Sequence, residues 1–143
     1  MDKYNDILHQ VYSLVGNKTT YLSDLRRAGN KMFHIRFKGV YPSDKIPTLN
    51  MLQPYCILNL DKSSEPGSHW IALCYDGDET VVYDSFGRDY KKIIKNLRYS
   101  GNGRIINTDD DPEQQIHQTD CGARCLAFIK YYDVYGKEAA MKI

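Results

Sequence analysis

The chain has 143 residues, 19 basic and 18 acidic, for a formal net charge of +1, so no global field points to nucleic acid or an acidic membrane as its partner. With 42% hydrophobic and 26% charged residues it reads as one globular domain spanning 1–143, with too few residues for two cores and too many apolar ones for disorder. No apolar run nears the ~20 residues of a membrane span, and Met1–Asp6 lacks the apolar centre of a signal peptide, so the expectation is a cytoplasmic protein that is neither secreted nor membrane-bound.

Asp2 to Val15 repeats its apolar residues close to a helical period and ends at Gly16-Asn17. Thr20 is the expected N-cap of a short second helix through Leu22, Leu25 and Ala28, stopped by Gly29-Asn30. The alternation Phe33-Ile35-Phe37 predicts a short strand, and Tyr41 to Pro47 a loop of turn formers. Three strands follow, Tyr55 to Leu60, His69 to Tyr75 and Thr80 to Asp84, the last two joined by the hairpin turn Asp76-Gly77-Asp78-Glu79. They are nearly continuous apolar runs and should be buried on both faces. Ile93, Ile94 and Leu97 predict a helix whose wet face carries Lys91, Lys92 and Lys95. Arg104 to Asn107 is a further short strand, and Thr108 to Thr119 a polar loop. In the last helix Cys121, Cys125, Phe128, Ile129 and Tyr132 recur at three and four. The fold class is α+β, a small mixed sheet clasped by helices.

The four cysteines, Cys56, Cys74, Cys121 and Cys125, read as reduced thiols, with neither a secretory context nor a CxxC pair to suggest disulfides or zinc. Neither metal nor cofactor is expected. Chemistry concentrates in four places. His69-Trp70 opens a buried strand, and Asp84 closes its antiparallel partner, so the two lie side by side. A carboxylate there can accept the Nδ1–H of the imidazole and leave Nε2 as a base. Cys121 begins an apolar helix, where unpaired N–H groups and the dipole favour a thiolate, and Gly122 clears space for an approaching backbone. Gln114 and Gln115, upstream, can supply an amide donor to an oxyanion together with the Cys121 N–H. Each feature alone is commonly structural; their joint occurrence, in an order that lets them converge, points to a cysteine nucleophile with a His–Asp base.

His69-Trp70, then Tyr83-Asp84-Ser85-Phe86-Gly87, then Gln115 six positions before Cys121 in Asp120-Cys121-Gly122, with Cys125 behind it, resemble the adenain and ubiquitin-like-protein protease superfamily. Phe37-Lys38-Gly39-Val40-Tyr41 with Asp44 and Pro47 further resembles adenovirus-type maturation proteases, most of all those of virophages, Maverick-type elements and large DNA viruses. The resemblance covers Phe37 to Phe128. It implies a papain-like fold of the adenain type with His69 as base, Asp84 as its orienter, Gln115 as oxyanion donor (Gln114 under adenain's longer spacing) and Cys121 as nucleophile. Trp70 would border the substrate channel. The implied function is a cysteine endopeptidase that matures capsid or virion precursors at glycine-containing sites, in the host cytoplasm, the virus factory and the virion. Its partner would be a polypeptide substrate, and an activating peptide is left open. The shortness of the chain favours this role over the alternative, a protease that deconjugates SUMO or another ubiquitin-like protein.

Overall fold

The computed structural model describes residues 2–15, 22–60, 69–87, 89, 104–108 and 121–143. Helix α1 (Asp2–Val15) and helix α2 (Leu22–Phe33) lead, through a 3₁₀ turn at His34–Arg36, into strand β1 (Phe37–Pro42). Strands β2 (Tyr55–Asn59), β3 (Trp70–Tyr75), β4 (Glu79–Tyr83) and β5 (Arg104–Asn107) follow, then helix α3 (Cys121–Tyr135) and the short α4 (Lys137–Ala140). The result is an α+β fold with a five-stranded sheet in the order β1-β2-β3-β4-β5. It is mixed: β1 pairs with β2 and β4 with β5 in parallel, while β2-β3-β4 are antiparallel.

The sheet separates two apolar layers. Tyr55, Ile57, Trp70, Ala72, Cys74, Val81 and Tyr83 face the helices, where they share a cluster with Tyr4, Leu25, Leu126, Phe128 and Ile129. Cys56, Leu58, Ile71, Leu73, Tyr75 and Val82 form the second cluster with Leu49 and the flanking Tyr41, Ile46, Leu60 and Ile105. Strands β2 and β3 are therefore buried along their whole length, as their unbroken apolar runs require. Among the described residues the helices cover one face only; the helix expected around Ile93 lies outside them. Among the described residues, too, no helix is long and apolar enough to cross a membrane.

Two devices fix α3 against the sheet. In its middle, the fully buried Phe128 stacks on Tyr83 with centroids 4.4 Å apart and planes 9° from parallel, a geometry worth ~0.5–1.5 kcal/mol beyond the area it buries. Near its C-terminus, Asp133 pairs with Arg36 and accepts a 2.8 Å hydrogen bond from the Tyr55 hydroxyl, while the Arg36 guanidinium lies 4.9 Å over the Tyr55 ring. Burial first, then Asp133, pushes the Tyr55 hydroxyl up, keeping it a donor. The Asp133 ties lie at the end of the sheet opposite His69, so α3 is anchored there and presents Cys121 at the other end.

The structure corrects three local expectations. Gly29-Asn30 does not stop α2, which continues to Phe33; glycine is needed there because a Cβ at Gly29 would lie 2.3 Å from the Phe37 ring. Phe33 to Arg36 is not a strand: Phe33 ends α2, His34 adopts a left-handed φ of 54°, and the strand starts at Phe37. The strand β1 also extends through Pro42, leaving the expected loop to begin two residues later. The hairpin turn is as expected, with Asp76 Oδ1 accepting the N–H groups of Asp78 and Glu79 and Gly77 at φ 95°.

Candidate active site

The β3–β4 hairpin builds two thirds of the site. Ala72 pairs with Tyr83, so the residue before β3 and the residue after β4 emerge at the same end. These are His69 and Asp84, 7% and 4% exposed. Asp84 begins a tight turn: its carbonyl accepts the Gly87 N–H at 2.8 Å, with Gly87 at φ 72°. An aspartate at the first position and a glycine at the fourth suit such a turn. Its carboxylate Oδ1 takes the Phe86 N–H at 3.0 Å and lies 2.6 Å from His69 Nε2.

The pairing is reversed from the one expected. Asp84 engages Nε2, not Nδ1, and Cys121 is the other group acting on the ring. A hairpin register brings the two residues together, but which ring nitrogen meets the acid depends on the side-chain torsions of His69, and these answer to the third partner as well. The logic of the site is unchanged, because the carboxylate holds one ring nitrogen and the thiol acts on the same imidazole.

Cys121 is the first residue of α3 and 4% exposed. Its position leaves the opening N–H groups of the helix without intrahelical acceptors, which favours negative charge at the sulfur and at any oxyanion beside it. Gly122 is buried in the same turn. For His69, burial is the largest single influence and disfavours the imidazolium, yet the hydrogen bonds to Asp84 and Cys121 and the charges of both outweigh it and hold its pKa above the ordinary histidine value. The other thiols differ: burial drives Cys56 and Cys74 well above the usual thiol range, and Cys125 is completely buried one turn below Cys121.

Trp70 is 6% exposed and belongs to the same buried cluster as Cys121; its ring is chiefly a core element beneath the site. Gln114, Gln115 and Gln118 lie outside the described residues, as do Thr20, Thr119 and Asp120. Phe86 was not singled out from the sequence, although its ring stacks on the His69 imidazole, with centroids 4.2 Å apart and planes 14° from parallel. The available signal was its place in the motif: an aromatic residue two positions past the aspartate, inside a turn that glycine closes. Among the described residues no group of three or more His, Cys, Asp or Glu side chains could hold a metal ion. The arrangement suits nucleophilic attack by a thiolate with proton transfer through His69. No protein-family model matches the chain, and no curated protein matches it.

Proposed function

We propose that the chain is a cysteine endopeptidase acting through Cys121, His69 and Asp84, with Gln115 as oxyanion donor. One observation carries the reading: a buried imidazole lies 2.6 Å from a buried carboxylate, and the cysteine that opens α3 acts on the same ring. The resemblance of the flanking motifs to the adenain superfamily supports the papain-like form of the fold and a role in cutting capsid or virion precursors after glycine.

In this mechanism the Cys121 sulfur, as the thiolate of an ion pair with His69, attacks the scissile carbonyl carbon. The oxyanion that forms takes hydrogen bonds from the Cys121 N–H and the Gln115 amide. The imidazolium, held by Asp84 at Nε2, gives its other proton to the departing amine, leaving a thioester. His69, now neutral, then takes a proton from water as that water attacks the thioester; the acyl group leaves as a carboxylic acid and the thiolate–imidazolium pair is restored.

The test is cleavage of a set of extended peptides containing glycine, with new termini mapped by mass spectrometry, run beside a ubiquitin-like fusion. Cuts after glycine are expected with the native protein and none with Cys121→Ala, whose circular dichroism should be unchanged because only one sulfur is removed. Cleavage that survives Cys121→Ala would refute the assignment. Cleavage of the fusion with the peptides left intact would replace the maturation role by deconjugation.

A further inference from the structure

We propose that Phe86 is a positioning residue of this site, whose ring fixes the plane of the His69 imidazole and favours its protonated form. The inference rests on the thiol-protease reading and deepens it.

Phe86 is tied to the triad through its backbone as well as its ring. Asp84 Oδ1 receives both His69 Nε2 at 2.6 Å and the Phe86 N–H at 3.0 Å, and the Asp84–Gly87 turn closes behind them. Carboxylate and phenyl ring are thus held by one turn and reach the imidazole from two directions. The hydrogen bond at Nε2 fixes where the edge of the imidazole points but leaves the ring able to tilt about that bond. The phenyl plane, nearly parallel at 4.2 Å, opposes the tilt. The imidazole then keeps one orientation relative to Cys121.

The face of a phenyl ring is negative and attracts a cation lying over it. Stacking therefore favours imidazolium over imidazole, and with it the thiolate–imidazolium pair of the proposed mechanism. Among the described residues the titratable groups bearing on His69 are Asp84, from the end of β4, and Cys121, from the start of α3. Both favour the imidazolium, so Phe86 acts in the same sense as they do. Loss of the aromatic face lowers the affinity of His69 for its proton and shrinks the thiolate fraction in mildly acidic solution.

The experiment is the rate of Cys121 alkylation by iodoacetamide at about pH 6, divided by the rate at about pH 10, where a thiol ionises without help. The adduct is mapped by mass spectrometry and folding is checked by circular dichroism. Native protein, His69→Ala, Phe86→Leu and Phe86→Tyr are compared; leucine keeps apolar bulk without a π face, and tyrosine keeps the face. The ratio should fall on the order of 100-fold in His69→Ala. It should fall about threefold or more in Phe86→Leu and stay near native in Phe86→Tyr. A Phe86→Leu ratio equal to native, or a Phe86→Tyr ratio as low as that of Phe86→Leu, would overturn the role of the ring. A native ratio no higher than that of His69→Ala would instead overturn the underlying triad, so the two failures are distinct.

Discussion

His69 answers to three neighbours, and their contributions separate on mutation. Replacing Asp84 by asparagine leaves an amide oxygen able to accept the Nε2–H but removes the charge. Because the carboxylate raises the pKa of His69, its neutralisation must lower it, and the alkaline limb of kcat/KM should move to lower pH. His69→Ala removes the base and the proton donor altogether. A serine protease loses about 10⁴-fold when its triad aspartate becomes asparagine, but a thiol is more acidic and needs less help. Asp84→Asn should therefore retain measurable turnover where His69→Ala is nearly inactive, read as kcat/KM against pH on one peptide. Equal losses would mean that Asp84 does more than hold and polarise the ring. That Asp84 would meet His69 was legible in the sequence, because a hairpin with a strong four-residue turn leaves little freedom of register. The nitrogen at which they meet was not, because it depends on torsions that a distant residue, Cys121, helps to choose.

Among the elements, those whose burial follows one period were read correctly: α1 by its helical repeat, β2 to β4 by unbroken apolar runs, and α3 by the spacing from Cys121 to Tyr132. The errors cluster where a local signal has two meanings. Glycine at position 29 reads as a helix stop, yet its use is to let the Phe37 ring cross the helix, a contact between elements that local sequence does not reveal. Phe33-Ile35-Phe37 alternates in burial, with Ile35 at 64% exposure between two buried rings, but a helix end, a left-handed histidine and a strand start produce the same pattern over so few residues. Gly29→Ala tests this account. The Phe37 ring is 3% exposed and packs 5.9 Å from Phe33, so it cannot swing aside freely. Overpacking of this kind costs ~1–3 kcal/mol, and urea denaturation should show the midpoint lowered with the slope unchanged. An unchanged midpoint would mean that the helix and the ring part without strain.

Across the whole molecule, the site depends on elements far apart in the chain. Residues 69–87 supply His69, Asp84 and Phe86 as one hairpin, and α3 brings Cys121 to its end while the Arg36–Asp133–Tyr55 network anchors the opposite end of the sheet. Among the described residues, His69, Asp84 and Cys121 lie where the sequence puts them, because each sits at a recognisable start or stop: a strand opening, a hairpin partner's end, a helix N-terminus. The one-sided placement of the described helices was not legible, since strands buried on both faces look alike whatever covers them. The central claim is that Cys121 alone, among four buried thiols, is a nucleophile activated by His69. Its most direct measurement uses a peptide ending in a glycine vinyl sulfone, an electrophile that reacts only when seated beside an activated thiolate, followed by mass-spectrometric mapping of the adduct. A single adduct on Cys121 is expected in the native protein, with none in His69→Ala or in protein unfolded at the same pH. An adduct on Cys56, Cys74 or Cys125 instead, or equal labelling of Cys121 with and without His69, would contradict the account.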